Sequence, residues 1–316
     1  MANPLVAAVL LNYKRPYDTI ECVKALRKST YSNLHMIVVD NASPDDSVYQ
    51  ISKALPGVEI IQADKNRGYA GGMNTGIRRA FQLSPQYILL ANSDTIAAEY
   101  FLEMLVEALE KEPVAAAASG TIYYYPGRNK IWYAGGTIRY WRASAFSHHH
   151  LVGDGKVNVE TVQYVSFVSG CAFLVRSAVL IQVGLFDERF FMYLEDTELC
   201  SRLIRSNFRL LYVPNAVLFH KVYDERLQPL SVYYSIRNRL LFLKLSGQGL
   251  SRFIGFIYLS SVLALKMLLW LLLKPPLFIA CRWAIQDFVT GKFYEGSGSV
   301  LRNAHIEEYD KEVAPR

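Results

Sequence analysis

Met36-Ile37-Val38-Val39-Asp40-Asn41-Ala42-Ser43 joins four apolar, strand-forming residues to an abrupt polar ending. A strand that is apolar on both faces belongs inside a parallel sheet covered by helices on either side. Outward from it, residues 5–11 repeat the pattern and close on Asn12-Tyr13-Lys14-Arg15-Pro16, while Ile20, Val23, Ala25 and Leu26 recur at helical spacing in between. That is one strand, helix, strand unit. The alternation continues with a helix over 46–55, a strand over 58–62 and the glycine-rich run Asn66-Arg67-Gly68-Tyr69-Ala70-Gly71-Gly72-Met73-Asn74-Thr75-Gly76. A helix over 73–83 and a strand over 87–91 follow, closing on Asn92-Ser93-Asp94. Such an order predicts an α/β domain whose ligands collect at the carboxyl ends of the strands. Every unusual polar motif of this half sits at such an end.

From 119 to 175 the pattern changes to short β-like pieces over 121–125, 136–140, 161–167 and 172–175, separated by Gly-, Pro- and His-containing loops. They turn the expected central sheet into a mixed one with a variable insertion on the acceptor side. His148-His149-His150 reads as an exposed loop rather than a metal cluster, because adjacent histidines rarely converge on one ion. Downstream, Phe190-Phe191-Met192-Tyr193-Leu194-Glu195-Asp196-Thr197-Glu198-Leu199-Cys200-Ser201-Arg202 crowds three carboxylates among aromatics. At least one is expected to face a partly dry cleft, where its basicity is tuned for proton transfer. Glu195, Asp196 and Glu198 also suit the positive end of a helix running through Leu199, Leu203 and Ile204. The two readings are compatible.

The chain has 316 residues, 52% of them apolar, and a net charge of +6. Four cysteines without CxxC spacing argue against zinc or a disulfide framework and suit a reducing compartment. The N-terminus enters a strand without a basic and then apolar leader, so catalysis is expected to face the cytoplasm. Residues 253–273 are long and apolar enough to span a bilayer, but Lys266 interrupts them. Arg252, Lys266 and Lys274 form a narrow basic stripe, which suits a helix lying in the membrane interface with its cations reaching headgroup phosphates. Pro275-Pro276 then breaks the helix before a second apolar piece through Trp283. Spanning, in-plane and dimer-interface placements stay open. No nucleic-acid partner is expected from so modest a charge.

Asp94 at a strand end can place a carboxylate where a divalent cation bridges a diphosphate. Asp40 at another end is a candidate acceptor for a nucleobase or ribose, and in the glycine run the missing side chains allow the backbone near a ligand. A dinucleotide fingerprint should follow the first strand, where Asn12-Tyr13-Lys14-Arg15-Pro16 stands instead, which counts against a dehydrogenase.

Together, Asn12-Tyr13, residues 39–43, the run 66–76, Asn92-Ser93-Asp94, Ser169-Gly170-Cys171-Ala172-Phe173-Leu174-Val175-Arg176 and the Glu195-Asp196 segment resemble the inverting family 2 glycosyltransferases of the GT-A fold, in the bacterial rhamnosyltransferase-like branch. The resemblance implies a Rossmann-like nucleotide-sugar domain over 1–230, with a donor half over 1–118 and an acceptor half over 119–230. Residues 231–316 then form a helical region that associates with membrane or dimerises. It casts Asp40 as the base-recognising acid, Asp94 as the metal-binding acid, Asp196 as the catalytic base and His220 as an added ligand for metal or diphosphate. Glu195, Glu198 and Arg202 support the base. Asn12, Tyr13, Arg15, Asn41, Ser43, Asn66, Gly68, Gly71, Asn74, Asn92 and Ser93 complete the nucleotide-sugar site. Asn92 replaces the first acid of a full DXD, so metal binding leans on Asp94. Arg237 and Arg239 are candidates for a diphosphate on donor or acceptor. Implied partners are Mg2+ or Mn2+, a dTDP- or UDP-sugar with dTDP-rhamnose foremost, and a lipid-linked glycan acceptor. The implied location is the cytoplasmic face of the cell membrane, peripheral or monotopic, with a homodimer open. A catalytically silent scaffold and a retaining transferase are the alternatives.

Overall fold

The computed structural model describes residues 3–127, 130–148, 161–222 and 227–301. The chain divides into two compact units, one of Met1–Ile138, Ala145–Asp187 and Glu195–Tyr223, the other of Arg139–Ser144, Glu188–Leu194 and Asp224–Arg316. The second therefore takes in two short upstream segments besides the C-terminal region.

In the first unit β1 (Val6–Asn12), α1 (Pro16–Arg27), β2 (Leu34–Asp40), α2 (Ser47–Ala54), β3 (Glu59–Gln62), α3 (Gly68–Phe81) and β4 (Tyr87–Asn92) form the expected alternation. Then come β5 (Thr95–Ala97), α4 (Phe101–Lys111), β6 (Ala115–Tyr124), β7 (Ile131–Tyr133), β8 (Gly136–Arg139), β9 (Ser144–Ser147), β10 (Gln163–Val165), β11 (Ala172–Arg176), α5 (Ser177–Val183), α6 (Glu195–Arg205) and β12 (Arg209–His220). The main sheet runs β10-β12-β6-β11-β4-β1-β2-β3, with β5 paired to β12 and β7 to β6. It is mixed: β1 is parallel to β2 and β4, whereas β11 is antiparallel to both β4 and β6. Register places Asn12 beside Asp40, and Leu11 beside Asn92, so three polar strand ends lie level at one edge. Residues 6–10 are completely buried, as a strand covered on both faces requires.

Three elements depart from expectation. Helix α3 starts at Gly68, not 73. Its glycines serve packing: a Cβ on Gly72 would stand 2.4 Å from Leu11 Cδ1, and one on Gly76 2.3 Å from Val9 Cγ1. β6 begins at Ala115 because burial in the sheet outweighs the weak strand preference of its alanines. β12 carries Pro214 in its interior, and the ladder to β6 shifts register between Val213 and Val217, so a bulge absorbs the proline. Gly120 stands opposite, where a Cβ would lie 1.8 Å from the Ala216 carbonyl oxygen.

The second unit holds α7 (Pro229–Ser246), α8 (Gly249–Leu273) and α9 (Pro275–Thr290). Pro275 at the first position of α9 ends α8, having no N–H to continue it. Helix α8 has 25 residues, about 37 Å of rise, longer than a ~30 Å hydrocarbon core. Its buried residues Gly255, Leu259 and Leu263 share one face. At about 3.6 residues per turn Arg252 and Lys266 fall on that same arc, while Lys274 lies just past the last helical residue. Arg252 and Lys266 are nonetheless both exposed. The opposite face, with Phe253, Ile257, Leu268 and Leu272, is exposed and uncharged.

Candidate active site

The edge where β1, β2 and β4 end is built from side chains that bond to one another. Asp40 is completely buried; its Oδ1 accepts from Asn12 Nδ2 at 2.7 Å and Ser43 Oγ at 2.7 Å, and its Oδ2 from the Ser43 N–H at 2.9 Å. Thr19 Oγ1 donates to Asn12 Oδ1 at 2.8 Å, and the Lys14 N–H to Ser43 Oγ at 2.9 Å. Asp40 therefore locks the two strand-end loops together and sets the entrance beside Tyr13 and Arg15. Asn41 does the same for the next loop: its Nδ2 donates to Asn66 Oδ1 at 3.1 Å and Gly68 O at 3.0 Å, and its Oδ1 accepts from the Arg67 N–H at 3.0 Å. Gly68 opens α3 with φ +69°, a conformation that favours glycine, and Gly71 is buried in its first turn. Asn74 is used differently from expectation. It is buried, and its side chain exchanges hydrogen bonds with the Phe186 backbone at 2.9 and 3.1 Å, so it pins a neighbouring loop.

Asn92, Ser93 and Asp94 follow β4. The antiparallel pairing of β5 with β12 sets His220 opposite Thr95, and the Lys221 N–H donates to Asp94 O at 2.9 Å. This pairing brings His220 Nε2 to 3.4 Å from Asp94 Oδ1, across 126 residues of chain. Asp94 Oδ1, Asn92 Oδ1 and His220 Nδ1 are all buried without a hydrogen-bond partner. Buried polar atoms left so demand an explanation, and a cation or polar ligand supplies one. Among the described residues no three His, Cys, Asp or Glu side chains surround one point. A magnesium-like cation held by one carboxylate and one imidazole, and otherwise by diphosphate and water, fits this donor set.

Asp196, in the first turn of α6, is partly open to solvent. Its Oδ2 accepts from the Gly170 N–H at 2.8 Å and its Oδ1 from the Thr197 N–H at 2.6 Å. Desolvation raises its pKa, while those two N–H groups oppose the rise. Glu195 is buried, its Oε2 lacks a partner, and burial first and the charge of Asp196 second push its pKa well up. Glu198 is committed elsewhere: Arg202 Nε donates to both its oxygens at 2.8 and 2.7 Å, and the rest of that guanidinium reaches the carbonyls of Val183, Gly184 and Leu185. Asp196 is thus the acid of the three that is both accessible and oriented.

Tyr69 and Gly170 stand in the motif segments but were given no role of their own by the sequence reading. Tyr69 donates to Gly170 O at 2.7 Å, which ties α3 to the loop that holds Asp196. The Asn92 N–H donates to Cys171 O at 2.8 Å, so the Asp94 loop and the Asp196 support are neighbours. The charges of Asp94 and Asp196 both act on Tyr69 and Cys171. Ser169-Gly170 beside an acidic helix start was the available signal.

Arg237 corrects an expectation. It is completely buried and spends its donors on the carbonyls of Arg189, Phe190 and Tyr294, on Asn238 Oδ1 and on the Tyr233 hydroxyl, so it is not a diphosphate ligand. Arg239 is half-buried and donates to Arg142 O at 2.7 Å, its Nε being left over. Of the three adjacent histidines, His148 bonds Thr137 Oγ1 at 2.7 Å, while His149 and His150 lie outside the described residues.

A mixed sheet with strand-end acids, a glycine-bearing α3 and an α6 that opens on acids defines a GT-A transferase fold. Residues 8–184 match the model of glycosyl transferase family 2, and the chain belongs to that family. It is 26% identical over 231 residues, 66% of this chain and 73% of the other, to N-acetylglucosaminyl-diphospho-decaprenol L-rhamnosyltransferase of Mycobacterium tuberculosis. With the dTDP-rhamnosyl transferase RfbF of Shigella flexneri it shares 23% over 260 residues, 77% of this chain and 81% of that one. Among solved structures, the mannosyltransferase PcManGT of Pyrobaculum calidifontis, in complex with GDP-Man and Mn2+, aligns with TM-score 0.57 at 15% identity over 98% of this chain and 82% of its own. GalNAc-T7 with UDP, GalNAc and Mn2+ aligns with TM-score 0.58 at 15% identity over 74% of this chain and 47% of its own. The chain is a glycosyltransferase of rhamnosyltransferase-like type.

Proposed function

We propose that this protein transfers a sugar, with inversion, from a nucleoside diphosphate donor to a glycan precursor carried on a polyprenyl diphosphate at the cytoplasmic face of the membrane. The observation that carries the reading is the accessible Asp196 carboxylate, aimed by two backbone N–H groups, beside the loop bearing Asp94. Asp196 takes the proton of an acceptor hydroxyl as that oxygen attacks the anomeric carbon opposite the leaving diphosphate. Burial raises its basicity, and the N–H pair keeps it ionised and oriented. Asp94 and His220 would hold Mg2+ or Mn2+, and such an ion would supply positive charge toward a diphosphate. Asn12, Asp40, Asn41, Ser43 and Asn66 shape the nucleotide entrance beside Tyr13 and Arg15, and Ser93 lines the strand end next to Asp94.

dTDP-rhamnose is the donor we favour, because relatives named for rhamnosyl transfer cover most of the chain. The lipid-linked acceptor is favoured by the diphospho-decaprenol in the name of one of them. The exposed, uncharged face of α8 supports a membrane-surface location, and four unpaired, buried cysteines suit a reducing compartment. The test is calorimetric titration with dTDP, UDP and GDP, each with and without Mn2+, on the native protein, Asp94→Asn and Asp196→Asn. Selective binding is expected, with its metal-dependent part lost in Asp94→Asn. Asp196→Asn is expected to bind normally and turn nothing over, and the product anomer to be inverted. Failure of all three nucleotides to bind the folded protein would replace this reading by a silent scaffold.

A further inference from the structure

The residues just before the acidic helix are in a disfavoured backbone state. Phe191, Tyr193 and Leu194 have φ of +63°, +68° and +67°, the left-handed region that side chains with a Cβ avoid. Three such residues in four persist only where surrounding bonds over-determine them. Those bonds come from two adjacent residues of α7. Asn238 Nδ2 faces the carbonyls of Phe190, Met192 and Tyr193 at 2.7, 2.8 and 2.8 Å. Arg237 Nη2 donates to the carbonyls of Arg189 and Phe190 at 3.1 and 3.0 Å, and its Nε to Asn238 Oδ1 at 3.1 Å, which fixes the Asn238 amide. The Phe191 ring stacks on Tyr234, with centroids 5.2 Å apart. Arg237 and Asn238 are both completely buried.

We infer that Arg237 and Asn238 are positioning residues for catalysis: they hold residues 189–194 in a left-handed path whose next two residues, Glu195 and Asp196, open the catalytic helix. The inference rests on the reading of Asp196 as the base. Chain continuity carries the effect, since Leu194 is covalently bonded to Glu195, the first residue of α6. Asn238 matters more than its size, because Asn238→Asp keeps the shape but turns carbonyl-facing donors into an acceptor that repels them. Arg237→Lys keeps the charge and loses the planar fork that serves two carbonyls and Asn238 together.

The experiment compares Asn238→Asp, Asn238→Ala and Arg237→Lys with the native enzyme for nucleotide affinity, donor KM, kcat and thermal midpoint. The expected result is nucleotide affinity and donor KM within about twofold of native and kcat reduced on the order of 10- to 100-fold, as misplacement of a reacting group by about 1 Å implies. Asn238→Asp should fall at least as far as Asn238→Ala despite its better fit. Native kcat in folded Asn238→Asp would overturn the inference. So would a loss of nucleotide affinity in step with kcat, which marks a general structural role. Asp196→Asn, run alongside, separates the two failures: if it stays active, the assignment of the base is wrong whatever Asn238 does.

Discussion

Gly170→Ala places one methyl group against the candidate base. The new Cβ would stand 3.0 Å from Asp196 Oδ2 and 3.1 Å from Asp196 Cβ, against ~3.5–4.0 Å for relaxed carbon contacts. The carboxylate must retreat by several tenths of an ångström, and the 2.8 Å bond from the Gly170 N–H to Oδ2 lengthens. Hydrogen bonds to a charged group contribute about 1.5–3 kcal/mol. Losing roughly half of that favours the protonated form by about 1 kcal/mol, or about 0.7 pKa unit at 1.36 kcal/mol per unit. The sign follows from the base having to be ionised: turnover is lost as pH falls through its pKa, so the acid limb of kcat moves to higher pH by about 0.5–1 unit. The plateau should also fall on the order of tenfold through misorientation. The assay is release of nucleoside diphosphate under saturating donor across the acid limb, with thermal midpoints to confirm folding. An acid limb and plateau unchanged from native would refute the claim that this N–H sets the state of the base.

Gly76→Ala should be the more damaging of the two packing-glycine variants, because its Cβ meets the stiff Val9 and Val39 at 2.3 and 2.9 Å, whereas that of Gly72 meets the end of the flexible Leu11; a loss of about 1–3 kcal/mol or more is expected from denaturant midpoints. Glu195→Gln should raise the thermal midpoint at mildly alkaline pH by about 2–4 °C per kcal/mol regained. Its wild-type carboxyl has a folded pKa above the unfolded one, so that stability is full below the unfolded value and lost as pH rises through the folded one; the two proteins should therefore converge in acid, and a gain independent of pH would contradict a buried neutral acid. Leu268→Glu with Leu272→Glu, on the uncharged exposed face of α8, should weaken sedimentation with anionic liposomes by at least about tenfold, given ~1.5–3 kcal/mol for burying each leucine. Unchanged binding would move the membrane contact elsewhere.

Much of the donor half was legible because its strands are short apolar runs that end in polar residues, and a parallel sheet buried on both faces writes itself that way. Asp40 and Asp94 stood out on the same ground, and Asp196 as one of three carboxylates crowded among aromatics. The glycine run was misread at its edge: backbone room for a ligand and backbone room for a sheet look alike in one dimension, and contact with Val9 and Leu11 decides between them. β12 was hidden by Pro214, whose cost to the ladder is absorbed by a bulge that local sequence does not announce. Arg237 looked like an anion ligand because charge is visible in sequence and burial is not.

By itself the sequence determined the order of strands and helices as far as β4, the polar residues at those strand ends and the apolar length of α8, since each depends on periodicity over a few neighbours. Tertiary structure alone decided which of these residues meet. His220 stands beside Asp94 only because β5 and β12 pair antiparallel. The second of the two N–H groups on Asp196 comes from Gly170, before β11, and Glu198 is withdrawn by Arg202 and the carbonyls behind it. Pairing between distant strands and burial of a charge are properties of the folded whole, where contact and desolvation are set by elements far apart in the chain.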